Sequence, residues 1–85
     1  MKTFRDKVLE IVRYIPKGGS LTYKEVARKA GNPNAARAVG AIMRTNYDPE
    51  IPCHRVVHSN GAIGNYNRGG IVRKRELLLS EGAIQ

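Results

Sequence analysis

The chain has no tryptophan, one phenylalanine and one cysteine in 85 residues, and only 7 carboxylates against 15 lysines and arginines. A lone cysteine excludes an intrachain disulfide framework and suits a reducing compartment. No apolar run approaches the length of a membrane span, and the first residues do not read as a secretory signal, so a soluble cytoplasmic protein is expected. There is no internal repeat, low-complexity segment or linker. A chain of this length is expected to form one domain with a small core and a modest stability margin.

The scarcity of acid leaves a formal net charge of +8. Its distribution is the sharper signal. No carboxylate falls between Val26 and Tyr47, where Arg28, Lys29, Arg37 and Arg44 stand, and none between Ile51 and Arg75, where Arg55, Arg68, Arg73, Lys74 and Arg75 stand. Such segments point to a polyanionic partner, with nucleic acid as the default, although a generally basic solvated surface has the same composition.

Four helices are legible. Phe4, Val8, Ile11, Val12 and Ile15 recur at helical spacing up to Pro16, with Asp6 and Glu10 toward water. Thr22 followed by Glu25 predicts a capped helix running to about Ala30, with Val26 and Ala27 inward. The break Gly31-Asn32-Pro33-Asn34 predicts a turn into a third helix from about Asn34 to Arg44, rich in alanine and glycine. Two short helices around a glycine-containing turn read as a helix-turn-helix. Val56-Val57-His58 and Ala62-Ile63 flank Asn60-Gly61 and predict a small β-hairpin. The last helix is expected from about Ile71 to Glu81, with Ile71, Leu77 and Leu78 in the core and Gly82 as its cap. The fold expected is mainly α: a winged-helix-like helix-turn-helix domain with a small β-hairpin.

The run Pro52-Cys53-His54-Arg55-Val56 carries the chemistry. An unpaired cysteine is often a small buried hydrophobe. Here Arg55, and His54 if protonated, place positive charge beside the sulfur, which favours the nucleophilic thiolate. Cys53, His54 and His58 lack the spacing and the fourth ligand of a zinc site, so no metal is expected.

Many segments in order share one pattern: Leu21-Thr22-Tyr23, Gly31-Asn32-Pro33, Ala35-Ala36-Arg37-Ala38-Val39-Gly40, Met43-Arg44, Asn46, Ile51 to Val57, Gly61 to Tyr66, Leu77-Leu78 and Glu81-Gly82. Over nearly its whole length the chain resembles the C-terminal active-site and DNA-binding domain of the O6-alkylguanine-DNA alkyltransferases, the methylated-DNA–protein-cysteine methyltransferases. The resemblance implies a single-turnover DNA repair reaction without a cofactor, on a guanine flipped out of duplex DNA. It implies Cys53 as alkyl acceptor, His54 as base through a bridging water, Glu81 as the carboxylate orienting that histidine, Asn46 as a brace for the cysteine turn, and Tyr23 as donor to the leaving base. Arg37 corresponds to the finger that fills the gap in the base stack. Tyr66, Pro52, Val56 and Asn65 correspond to the substrate pocket. Ala35, Ala36, Arg44 and Arg55 join Arg37 and Tyr23 on the DNA side. Binding in the minor groove is implied, as a monomer and with strong salt dependence; Arg28, Lys29, Arg44 and Arg68 are candidates for phosphate contact.

Outside the resemblance, Tyr23 reads as a packing residue, Arg37 as a phosphate contact or solvated charge, Glu81 as a surface acid and Tyr66 as loop packing. Alkyltransferase-like proteins that bind lesions without chemistry typically have tryptophan where Cys53 stands, which favours the enzyme here. A small regulator would need a dimer surface and no Cys53-His54, and the alkyltransferase part of a larger repair fusion fits the same residues. The family's usual N-terminal domain is expected to be absent. The loop before Pro52 looks one residue short for the family and Asn67-Arg68-Gly69-Gly70 one residue long.

Overall fold

A computed structural model describes residues 2–60, 62–64 and 66–84. Helix α1, Phe4–Arg13, opens on a capping box: the Thr3 hydroxyl accepts from the Asp6 N–H and the Asp6 carboxylate accepts from the Thr3 N–H, each at 3.1 Å. This satisfies amides that the first turn leaves unpaired. Val8, Val12 and Ile15 are buried, and Asp6 and Glu10 face water. The helix ends at Arg13, short of Ile15, because the Tyr14 and Ile15 amides close tighter bonds to Ile11 and Val12 before Pro16.

A two-residue strand, β1 (Leu21–Thr22), leads into α2 (Tyr23–Lys29), capped by the reciprocal Thr22–Glu25 bonds of 3.0 Å. Gly31 ends this helix with φ +96°, which lets the Asn32 N–H return to the Ala27 carbonyl at 3.0 Å. Asn32 Oδ1 then accepts from the Asn34 N–H, and the Ala35 N–H reaches the Asn32 carbonyl. That turn delays α3 to Ala36–Thr45, two residues beyond the expected start. Helices α2 and α3 pack on α1 around Val26, Ala27, Val39 and Met43, giving the helix-turn-helix.

The expected hairpin is replaced. The Val56–Val57 strand, β2, pairs in parallel with β1, Leu21 against Val56 and Thr22 against Val57. The His58 N–H does reach the Ala62 carbonyl at 2.9 Å, but residues 62–64 form no strand, and Gly61 lies outside the described residues. Val56 is fully buried, so core packing draws the strand onto β1 instead of onto its neighbour in sequence. Helix α4, Gly70–Ser80, closes the fold with Leu78 fully buried. Ile71, expected in the core, is 48% exposed; Lys74 takes the inner position one turn before Leu78. Among the described residues no helix is long and apolar enough to cross a membrane.

Candidate functional site

Between Pro52 and β2 the chain makes one 3-10 turn, Cys53–Arg55, held by the Arg55 N–H on the Pro52 carbonyl at 2.9 Å. Cys53 and His54 are both buried. Arg55 anchors the turn to two distant chain ends: Nη1 donates to the Ile15 carbonyl at 2.8 Å, and Nε and Nη2 donate to the two oxygens of Glu81 at 2.9 Å. Glu81 stands just past α4, where its main-chain carbonyl comes close enough to the Gly18 turn that a Cβ there would lie 3.1 Å away. Its carboxylate also meets His54 Nε2 at 2.9 Å. The bonds from Arg55, and then those from His54, hold the Glu81 carboxyl at about 2, against an ordinary 4.5. An ionised carboxylate only accepts, so Nε2 carries the hydrogen, and in the neutral ring the lone pair is then on Nδ1.

Cys53 opens on a cavity of about 460 Å³. Tyr23 at the head of α2 and Tyr66 in the loop before α4 line it with the cysteine. Helix α3 contributes Ala36, Arg37, Gly40, Met43 and Arg44. The small residues thus face the opening between two arginines, an arrangement that lets a long polyanion approach the backbone closely. Burial, then the charge of Cys53, raises both Tyr23 and Tyr66 above the usual phenol value. Tyr66 stands edge-on to the His54 ring, 6.1 Å between centroids.

Three residues at this site escape sequence reasoning. Lys74 is wholly buried and its ammonium donates to the Tyr23 hydroxyl at 3.4 Å, 5.6 Å from the ring centre. Burial lowers it to about 8, with the charge of Cys53 acting the other way. In sequence it is the middle of Arg73-Lys74-Arg75; its signal is the four-residue spacing to Leu78. Asn67 lines the cavity and its Nδ2 faces the carbonyls of Met43, Arg44 and Asn46. His58, excluded above from a zinc site and given no other role, also lines the cavity, tilted on Tyr23 with 4.9 Å between centroids.

Several expected site residues stand elsewhere. Arg55 is not a DNA-facing cation: its guanidinium is engaged with Glu81 and Ile15, and its side chain is 15% exposed. Arg68 is half-buried, with Nη2 donating to the Asp48 carbonyl at 2.6 Å in an exposed bond. Val56 is fully buried in the core and does not line the cavity, because its strand pairs with β1. Pro52 lines a neighbouring cavity, and Ala35 packs half-buried against the core. Asn46 is buried, but Oδ1 braces the Asp48 amide at 3.3 Å, at the start of the loop, not the cysteine turn itself. Arg28 and Lys29 are exposed at the end of α2. Asn65 lies outside the described residues.

Residues 3–83 match the family model of the 6-O-methylguanine DNA methyltransferase DNA-binding domain. The chain is 52% identical over 77 residues to the methylated-DNA–protein-cysteine methyltransferase of Rattus norvegicus, covering 89% of this chain and 35% of that protein. It is 44% identical over 79 residues to the protein of the same name from Methanothermobacter thermautotrophicus, covering 93% and 44%. It therefore spans well under two thirds of these curated relatives. Among solved structures, Mycobacterium tuberculosis OGT in complex with DNA superposes with a TM-score of 0.87 at 40% identity, covering 95% of this chain and 49% of that one. S. pombe Atl1 in complex with damaged DNA containing O6-carboxymethylguanine superposes with a TM-score of 0.83 at 36% identity, covering 96% and 80%.

Proposed function

The chain belongs to the 6-O-methylguanine DNA methyltransferase DNA-binding-domain family, and from that premise we propose that it is the active-site domain of a DNA repair alkyltransferase, moving the alkyl group of O6-alkylguanine onto Cys53. The observation that carries this reading is that Cys53 shares a cavity with Arg37, Gly40 and Arg44 of α3, while the adjacent His54 is hydrogen-bonded to Glu81.

The chemistry follows from these groups. His54 Nδ1 takes the thiol proton through one water, since neighbouring side chains in a tight turn do not meet directly. Glu81 holds the ring in the tautomer that can do so. The Cys53 thiolate attacks the alkyl carbon; the S–C bond forms, the C–O6 bond breaks, and the electron pair passes to the purine. Tyr23 donates to that purine as charge develops on it. With Lys74 donating to the phenol oxygen, the phenol hydrogen is not engaged by that ammonium and can be donated to the purine. No turnover follows, because the thioether does not revert.

Arg37, which lines the Cys53 cavity, fills the gap left by the flipped base in this reading, which offsets part of the unstacking cost. Docking the α3 face in the minor groove suits a lesion finder, since that groove discriminates sequence poorly. Arg37, Arg44, Arg28 and Lys29 supply phosphate attraction, so affinity falls steeply with salt.

The test is intact-protein mass after mixing with duplex DNA carrying one O6-methylguanine, beside Cys53→Ala. One methyl-sized gain, mapped to Cys53 and absent from the variant, is expected. Tight lesion binding without mass gain makes the protein a lesion sensor.

A further inference from the structure

Resting on the alkyl-transfer reading, we propose that Asn67 and Arg68 are positioning residues that clasp the Tyr66 segment to the loop leading to Cys53, and that this clasp limits the size of the O6-substituent the cavity accepts. Asn67 Nδ2 lies 3.2 Å from the Met43 carbonyl, 2.9 Å from that of Arg44 and 2.7 Å from that of Asn46. These carbonyls belong to the last turn and the C-cap of α3, where the helix offers few further amides; the Met43 carbonyl also takes the Asn46 N–H at 3.3 Å. An amide nitrogen has two hydrogens, so the three acceptors share them, and the carbonyls fix which side of the amide faces them. The next residue repeats the contact further along: Arg68 Nη2 donates to the Asp48 carbonyl at 2.6 Å. Two consecutive side chains thus bind the main chain of the segment that runs on to Cys53.

What the clasp holds is a partition. Tyr66 lines the Cys53 cavity of about 460 Å³ and also a neighbouring cavity of about 520 Å³, bounded by Ile51, Pro52, Arg68 and Arg73. The charge of Arg68 acts on the Tyr66 phenol as well, so the pin and the wall are in direct communication. With the clasp closed, the reacting carbon sits in a bounded space suited to a small alkyl group. With it open, the Tyr66 segment is free to swing and the two spaces merge. The stretch from Asn67 to Gly70 supplies the clasp.

The test compares methyl and benzyl transfer by intact-mass time courses, using duplexes carrying O6-methylguanine or O6-benzylguanine. For Asn67→Ala and Arg68→Ala the benzyl-to-methyl rate ratio is expected to rise by about tenfold or more, the low end of the scale on which one methylene's worth of pocket space discriminates. Arg68→Lys, which keeps a donor, is expected to restore the ratio toward that of the unaltered protein. A clasp that only stabilises the fold lowers the melting temperature and leaves the ratio alone; an unchanged or lowered ratio overturns the inference. If Asn67→Ala does not fold, Arg68→Ala carries the same test through the exposed bond to the Asp48 carbonyl. An unaltered chain that gains no methyl group overturns the alkyl-transfer reading and this inference together.

Discussion

The Arg55 guanidinium grips the Glu81 carboxylate through two parallel bonds of 2.9 Å, Nε to Oε1 and Nη2 to Oε2. The Oε2 atom also faces His54 Nε2. One carboxylate therefore ties the end of α4 to the cysteine turn and sets the histidine tautomer. Arg55 extends the tie to the end of α1 through the Ile15 carbonyl. Structure and chemistry share the same atoms here, so their contributions have to be separated by measurement.

Glu81→Gln leaves the Arg55 charge nearly buried without its counter-ion. Breaking such a pair from one side costs on the order of 3–5 kcal/mol. Alkyl transfer is expected to fall by roughly 10²–10⁴-fold, the usual worth of an oriented acid–base group. The pH dependence has a definite sign. The folded carboxyl titrates near 2 and the unfolded one near 4.5, so its stabilisation is complete above 4.5 and is lost as pH falls toward 2. Urea midpoints for the two proteins should therefore converge over that interval. A constant difference between pH 6 and pH 2 would sink the assignment, and an undiminished transfer rate in the variant would remove Glu81 from the chemistry.

Local sequence signals located the helices well, because each carries its own punctuation. Thr22 with Glu25, Pro16 and Gly31 act within a few residues of where they stand, and the structure honours each. The β element was misread for the opposite reason. Its partner lies more than thirty positions away in sequence, and only the burial of Val56 selects it over the nearby Ala62-Ile63. The site shows the same division. Cys53, His54, Tyr23 and the α3 face were legible as motifs, whereas Lys74 and Asn67 act by reaching across the fold to residues 51 and 21–24 positions earlier. Arg55 and Arg68 were assigned to DNA because a sequence displays charge without displaying which carbonyl or carboxylate it meets.

The charged form of Lys74 acts on stability in the opposite direction to that of Glu81, although both contributions rise with pH. Its folded value of about 8 lies below the ordinary 10.5, so burial of the ammonium opposes folding throughout the range below 8. Between 8 and 10.5 the unfolded chain binds the extra proton, and this group's contribution to stability rises with pH. The cost removed is on the order of 3 kcal/mol at most, at about 1.4 kcal/mol per pKa unit. Lys74→Met lacks the titration. Subtracting its urea midpoints from those of the unaltered protein should leave a rise between pH 8 and pH 10; a flat difference shows that the ammonium is hydrated in solution.

Thr22→Ala removes one arm of the capping box that opens α2, and a lost N-cap of this kind costs about 1 kcal/mol. Tyr23 is the first residue of the same helix, so loosening the cap also loosens the side chain proposed to donate to the leaving base. Alkyl transfer is expected to slow by more than the fraction of unfolded protein accounts for. Thr22→Ser keeps the hydroxyl and should restore both properties. If Thr22→Ala slows transfer only in proportion to unfolding, the cap has no bearing on how Tyr23 is held.

Gly40 sets stability against binding at one position. It lies within α3, and a Cβ built on it meets no atom of another element within 4 Å. Replacing a mid-helix glycine by alanine ordinarily stabilises by roughly 0.5–1 kcal/mol. Gly40 nevertheless lines the cavity between Arg37 and Arg44, on the face proposed to lie against DNA. Gly40→Ala is therefore expected to raise the melting temperature and, in the same protein, to weaken binding to lesion-bearing duplex several-fold, because a methyl group holds the backbone off the groove. Fluorescence anisotropy with a labelled duplex beside thermal unfolding reads both. A variant that melts higher and binds equally well would mean that α3 meets DNA through its arginine side chains alone, with the backbone standing clear of the groove.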